Sequence, residues 1–210
     1  MNKQIIIVGG FHEIIELCEE LDYSIVGIID NNLKTEFLNY PVIGSDKDAR
    51  ILLNKYGHIP LVISPDSPLI RKRLFDYYSN IGFTFSTIIS SGAKISKSAT
   101  IGLGSVIQHG VNISANTRIG SFVKLNTNSN IMHDCSIGDF VTIAPNAVVL
   151  GRINIGLCTY IGSNSTILPE KKIAANVIVG AGAVVTKDII ENDATYAGVP
   201  AKKLSYGKKP

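Results

Sequence analysis

The sequence predicts two unlike parts in series: a small α/β domain over residues 1–85, then an all-β parallel coil over residues 86–210. Three observations carry this. Apolar strands alternate with helical patterns in the first part. From Ile89 every sixth residue is aliphatic, and glycine recurs directly after those aliphatics at spacings that are multiples of six.

The first part reads in order. "QIIIVGG" is a continuous apolar strand ending in glycines, and "HEIIELCEEL" sets Ile14, Leu17, Cys18 and Leu21 on one helical face. "SIVGIID" is a second buried strand, and Asp30, Asn31 and Asn32 supply turn chemistry after it. "PLVIS" gives a third strand, and "SPLIRKRLFDYYSNIG" a helix that stops near Gly82. Strand, helix, strand with short connections is a βαβ pattern, so a small Rossmann-like parallel sheet is expected.

In the second part the aliphatic series runs from Ile89 through Ile107, Leu125, Ile143 and Ile161 to Val185, seventeen positions without a miss. A smaller set, including Ala93, Ser105, Thr117, Ser129, Cys135 and Ala147, follows four residues behind, broken at Ile153 and Lys171. No helix has a period of six, and the two-residue period of a strand does not call for this glycine spacing. A coil of three flat six-residue faces accounts for all of it: one aliphatic per face points inward, a small residue fits each corner, and Gly102, Gly120, Gly138 and Gly156 relieve the turns. This is the hexapeptide β-helix repeat, with coils stacked at roughly 4.8 Å.

Composition narrows the class. The chain is 45% hydrophobic and 18% charged, with a net charge of +3 that sits largely in the tail "AKKLSYGKKP", which is too small and local for nucleic acid. No apolar run is long enough for a membrane span, and the start is too short in apolar residues for a signal peptide. Three scattered cysteines without CxxC spacing read as reduced thiols of a cytoplasmic protein. No two histidines fall at ligand spacing, so no metal is expected.

One stretch departs from plain repeat chemistry. "NSNIMHDCSIGDF" places His133-Asp134 between Ile131 and Ile137 without displacing an aliphatic, so the imidazole points outward. Imidazole, with an unperturbed pKa near ~6.5, suits general-base work at neutral pH, and an adjacent acid can fix its tautomer. Adjacent strand residues point oppositely, so direct pairing requires a bend at 133–134. Gly151 lies one full coil of eighteen residues beyond His133, its backbone roughly 5 Å away, where an N–H could stabilise an oxyanion. Pro145, Ser163 and Ala181 form another column at the same spacing.

The repeat, the end motif "TYAGVPAKKL" and the α/β domain ahead of them together resemble the left-handed β-helix acetyltransferases. Within these the chain is similar to the enzymes that acetylate UDP- or dTDP-linked 4-amino sugars and to sialic-acid O-acetyltransferases. "NTNSNIMHDCSIGDF" matches that subfamily's N-x-x-[AS]-x-[IV]-x-H-[DE]-C-x-I-G-[DE]-F pattern. The resemblance covers nearly the whole chain. It implies an acetyl-CoA-dependent homotrimer with sites between subunits, His133 as base, Asp134 as its partner and Gly151 as oxyanion donor. It also implies coenzyme A contacts at Ser163, Ala181, Pro200 and Lys202, and a sugar contact at Asn126. Many relatives carry a second histidine where this chain has Thr142; if that histidine holds the acetyl carbonyl or acceptor, the Thr142 hydroxyl must do so here, or the choice of acceptor differs.

For the first domain, "IIIVGGFHEI" and "IIDNN" suggest a nucleotide pocket at the carboxyl ends of two parallel strands. The G-x-G-x-x-G fingerprint of NAD sites is absent, and the relatives' G-x-G-G-H-G loop is one residue shorter here. Gly10, His12, Asp30 and Asn31 are carried over as substrate-binding. His109 falls on a neighbouring face and reads as a surface position, while His12 and His58 have ordinary loop readings too. The expected function is acetyl transfer to the 4-amino group of a nucleotide-linked amino-deoxy sugar in bacterial surface-glycan synthesis. The alternatives are O-acetylation of a sialic acid or related sugar and, in another class, a non-catalytic trimeric scaffold or nucleotide-sugar sensor.

Overall fold

The computed structural model describes residues 3–205, so Lys208 and Lys209 of the basic tail lie outside the described residues. The first part is a five-stranded sheet of order β3-β4-β2-β1-β5, comprising β1 (Lys3–Val8), β2 (Tyr23–Ile29), β3 (Glu36–Phe37), β4 (Tyr40–Gly44) and β5 (Leu61–Ile63). All pairs are parallel except the β3–β4 hairpin. Ile5 to Val8 are buried on both faces of the sheet, as the unbroken apolar run requires.

Helix α1 (His12–Glu20) buries Ile14, Ile15, Leu17 and Cys18, and burial pushes the Cys18 thiol up to about 12, which leaves it an inert packing group. Helix α2 (Ala49–Tyr56) and the β3–β4 hairpin are additions to the sequence expectation. The hairpin turn is made by Leu38 and Asn39, at φ 48° and 65°. Two positive φ values are the type I′ geometry, but Leu-Asn is not its usual Asn-Gly signature. Helix α3 (Pro68–Ile81) has the expected punctuation: the Ser67 hydroxyl accepts from the Ile70 N–H, proline opens the helix, and Gly82 closes it at φ 115°.

The second part is a three-faced parallel β-helix of the left-handed class. Its first face contains the strands at Ile88, Val106, Lys124, Thr142, Tyr160 and Ile178, continued by the hairpin Thr195–Ala197 with Lys202–Lys203. The second face starts at Lys94 and includes Asn112, Asn130, Val148, Thr166 and Val184. The third includes Thr100, Arg118, Ser136, Asn154 and Lys172. From Ile107 to Val185 the sixth-residue aliphatics form one buried stack, each paired with its counterpart eighteen residues away.

The role assigned to the glycines needs correction. The left-handed residue of each corner is the second turn residue, at Asn116, Phe122, Asn128, Asp134, Phe140 and Asn146, with φ between 54° and 59°. Gly102, Gly120, Gly138 and Gly156 lie one residue after the strands, outside the left-handed region, and stack on one another down one corner. A Cβ on Gly102 would stand 2.5 Å from the carbonyl carbon of Gly120, and one on Gly156 2.7 Å from that of Ala174. They are small because successive coils touch there, not because the turn demands it.

The α/β part is docked on the first face. Phe122 and Phe140 stack at 5.4 Å on the corner beside it, and Phe75 of α3 packs on Phe122 at 4.4 Å. The Arg71 side chain, 1% exposed, donates to the carbonyls of Pro65, Asp66, Phe122, Phe140 and Val141 and to the Thr142 hydroxyl. Burial pushes its guanidinium down to about 10. Lys124, also fully buried, reaches the Ser64 carbonyl at 2.9 Å and the Asp66 carboxylate at 2.8 Å.

Candidate active site

His133 and Asp134 are the two turn residues of the corner between the second and third faces. The required bend is there: Asp134 sits at φ 59°, and this reversal brings its Oδ2 to 2.7 Å from His133 Nδ1. A carboxylate only accepts, so Nδ1–H is the donor in this pair, an arrangement that leaves Nε2 as the acceptor in the neutral ring. The hydrogen bond to His133, followed by one from Asn116 Nδ2 at 3.2 Å, holds the Asp134 carboxyl below the usual carboxylate range. Both side chains remain nearly half exposed, at 44% and 45%, so the pair faces outward rather than into the core.

Gly151 lies directly against the ring. A Cβ there would stand 2.7 Å from both Cε1 and Nε2 of His133. Its carbonyl accepts from the Glu170 N–H, while its own N–H donates to no group among the described residues. The corner therefore combines an imidazole, a carboxylate bonded to it and an unengaged amide donor, groups of the kind that attack on a thioester carbonyl requires.

Ser163 and Ala181 lie on a different corner, between the first and second faces, in one column with His109, Thr127 and Pro145. The Gly182 N–H donates to the Ser163 carbonyl at 2.8 Å. Pro200 and Lys202 are exposed on the loop and hairpin that follow, tied back by hydrogen bonds between Val184 and residues Gly198 and Ala201. Within one chain this column and His133 flank the second face on opposite sides.

Thr142 is not available to a substrate. It is fully buried, its hydroxyl donating to the Asp66 carbonyl at 2.6 Å and accepting from Arg71 at 2.9 Å. The docked loop after β5 covers it, so a hydroxyl there serves the seam. Asn126 is also buried; its Nδ2 donates to Asp66 Oδ1 at 3.1 Å, and its Oδ1 has no partner.

At the carboxyl ends of β1 and β2 lies a cleft of about 280 Å³ whose walls include Gly9, Asp30, Asn31, Pro65 and Arg73. Asp30 works chiefly within the protein: it accepts from the N–H groups of Gly10, Asn32 and Leu33 at 2.8–3.1 Å. Burial raises its pKa, but these three bonds outweigh that and hold it below the usual range. Gly10 packs under Leu33 and Phe37, which a Cβ would strike. The Asn31 side chain bonds Asp46, and His12 stands outside the cleft wall with its ring edge-on to Phe37 at 4.7 Å.

Sequence reasoning missed Asp66, Lys124, Arg71 and Asn116. The signal for the first three was present: the outward residues of the first face begin Ile88, Val106, whereas those of the third are Thr100, Arg118, Ser136, Asn154 and Lys172. An apolar outward column marks a covered face, and Lys124 within it calls for a counter-charge on whatever covers it.

Residues 116–151 match the family described as bacterial transferase hexapeptide (six repeats). Among solved structures, the chain is similar to WeeI from Acinetobacter baumannii at 30% identity and TM-score 0.85, covering 96% of this chain and 100% of that one. It is also similar to the acetyltransferase domain of PglB from Neisseria gonorrhoeae in complex with acetyl coenzyme A, at 28% identity and TM-score 0.89, covering 97% and 100%. A third is a variant of the GDP-perosamine N-acetyl transferase of Caulobacter crescentus bound to CoA and GDP-perosamine, at 26% identity and TM-score 0.91, covering 97% of each chain. A search of curated protein sequences returned no match.

Proposed function

The chain belongs to the hexapeptide-repeat sugar acetyltransferases, and from that premise we propose that it transfers the acetyl group of acetyl-CoA to the amine of a nucleotide-linked amino-deoxy sugar used in bacterial surface-glycan synthesis. The observation that carries the reading is the His133 ring, bonded through Nδ1 to Asp134 with Nε2 beside Gly151. The acceptor nitrogen attacks the thioester carbonyl, forming the C–N bond as its proton passes to Nε2. Asp134 stabilises the imidazolium that results, and the Gly151 N–H meets the oxyanion. Collapse of the intermediate breaks the C–S bond, and the imidazolium returns its proton to the departing thiolate. No acyl-enzyme is needed.

The nucleotide is assigned to the cleft at the strand ends, with residues 1–85 as acceptor domain and 86–210 as transfer domain. UDP and dTDP are the expected carriers, with GDP left open; the related perosamine enzyme is bound to GDP-perosamine, which supports testing a GDP-linked acceptor beside them. Ser163, Ala181, Pro200 and Lys202 are assigned to coenzyme A.

Assembly as a homotrimer supplies what one chain separates. The first face is covered by the α/β part from Ile88 to Thr142, with Ile178 at its far end exposed, and the third is exposed and hydrophilic. Beyond the exposed Lys94 at its start, the second face presents Asn112, Asn130, Val148, Thr166 and Val184, half-buried and uncharged, with His133 on one flank and Ser163 on the other. Packing second faces around a threefold axis sets the base of one subunit beside the coenzyme column of the next. Among the described residues no helix is long and apolar enough to cross a membrane. Acetyl-CoA and activated sugars are both cytoplasmic metabolites, so we place the reaction in the cytoplasm.

Thiol release from acetyl-CoA, measured against UDP-, dTDP- and GDP-linked amino sugars, free amino sugars and sialic acid, tests the reading. Turnover confined to a nucleotide-linked amine supports it; turnover on sialic acid alone moves the enzyme to O-acetylation; acetyl-CoA binding without turnover on any acceptor removes it.

A further inference from the structure

We propose that Asn116 is a positioning residue of the transfer site, acting on His133 through Asp134; this rests on the reading of His133 as base. The left-handed corner residues Asn116, Asp134, Arg152 and Glu170 form a column at eighteen-residue spacing, so their side chains stack from coil to coil. Asn116 is itself fixed, its N–H donating to the Ser98 hydroxyl at 3.0 Å. From there Nδ2 reaches Asp134 Oδ1 at 3.2 Å, while the other oxygen, Oδ2, holds His133 at 2.7 Å.

A carboxylate bonded through one oxygen can still swing about its last side-chain torsion. Bonded through both, to groups on different coils, it holds a fixed plane and fixes the imidazole with it. The surroundings leave this task to Asn116. Ala115 and Gly151, the first turn residues of the coils on either side of His133, bring no polar side chain. Arg152 contributes charge near Asp134, but its guanidinium is engaged by Glu170 at 2.7 and 2.9 Å. Asn116 and Asp134 are both exposed, so their bond contributes little to stability; its effect falls on geometry and charge at the base.

The charged and titratable groups facing the pair are thus Arg152 and Glu170 from the following coils, and a change at Asn116 alters the field from the open side. Three variants separate positioning from a merely structural role. Asn116→Gly keeps the left-handed turn and removes only the amide. Asn116→Asp adds a negative charge beside Asp134 and favours imidazolium; Asn116→Lys adds a positive one and disfavours it.

The readouts are the His133 Cε1–H titration by NMR in the ligand-free protein, assigned with His133→Asn, and kcat and KM against pH with the acceptor found above. We expect titration midpoints displaced upward in Asn116→Asp and downward in Asn116→Lys. We also expect kcat about 3- to 10-fold lower in Asn116→Gly, with KM for acetyl-CoA unchanged. Coincident midpoints in the three variants, or kcat within about twofold of the parent in Asn116→Gly, overturns the proposal. The NMR arm needs no acceptor, so displaced midpoints with no turnover on any acceptor would sink the proposed function and leave this coupling standing.

Discussion

Replacing Gly151 with alanine tests whether the His133 ring works from the position described. The new Cβ would lie 2.7 Å from Cε1 and Nε2, so the ring must retreat by about 0.7 Å to restore an ordinary 3.4 Å contact. That retreat takes the 2.7 Å bond to Asp134 toward the limit of a hydrogen bond. A 1 Å misplacement of a reacting group costs on the order of 10²-fold, so kcat should fall by about 10- to 10²-fold. Folding should not suffer. Gly151 lies outside the left-handed region, the displaced ring is already half exposed, and Gly→Ala at a compatible site contributes about 0.4–1 kcal/mol through the unfolded state. The assay is steady-state thiol release, with acetyl-CoA affinity from calorimetry and Tm from scanning calorimetry. Gly156→Ala is the control: its Cβ would strike the Ala174 carbonyl carbon at 2.7 Å, backbone that cannot swing aside. Overpacking of that kind costs about 1–3 kcal/mol, so the control should lose Tm and keep its turnover at low temperature. An unchanged kcat in Gly151→Ala would refute the base assignment in this pose.

Three further expectations concern the seam, the assembly and acid. Asp66→Ala should destabilise by about 3 kcal/mol, because it leaves the fully buried Lys124 without its counter-charge. Lys124→Met should cost less than about 1.5 kcal/mol, since the Asp66 side chain is 41% exposed and keeps water. Urea unfolding of both variants checks the order, and a reversed order removes the argument. Val148→Glu, in the middle of the second face, should yield monomers by light scattering and abolish turnover; an active monomer would sink the threefold arrangement. For Asp30 the folded pKa is depressed, so its contribution is fully present above the ordinary value of 3.8 and lost as pH falls through the lower folded value. The stability difference between wild type and Asp30→Asn should therefore be flat near neutrality and shrink below that value in urea titrations.

The coil was legible because its period is a covalent fact that packing only had to obey: each inward aliphatic stacks on the one eighteen residues away. The βαβ strands were legible as unbroken apolar runs. The β3–β4 hairpin was not, because Leu38 takes a backbone conformation usually left to glycine or asparagine, so no local signal precedes it. At the site, His133, Asp134 and Gly151 could be placed from register alone, and the bend they needed is the same left-handed corner that recurs every six residues. Thr142 misled because register gives direction and not cover: its hydroxyl points outward from the coil, yet the loop after β5 lies on it. The positioning of Asp134 by Asn116 depends on side-chain reach between coils, which spacing suggests and only coordinates decide.

Arg71 has a further consequence. Five of its six acceptors are peptide carbonyls, and the sixth is a hydroxyl that itself bonds a carbonyl. Those bonds follow the path of the chain and not the identity of the residues that supply it. Substitution around this part of the joint can therefore drift without altering how the two halves are spaced, provided the guanidinium itself is kept. On the proposed function, the distance from the strand-end cleft to the coil, and with it the reach an acceptor needs, is held in part by this one side chain.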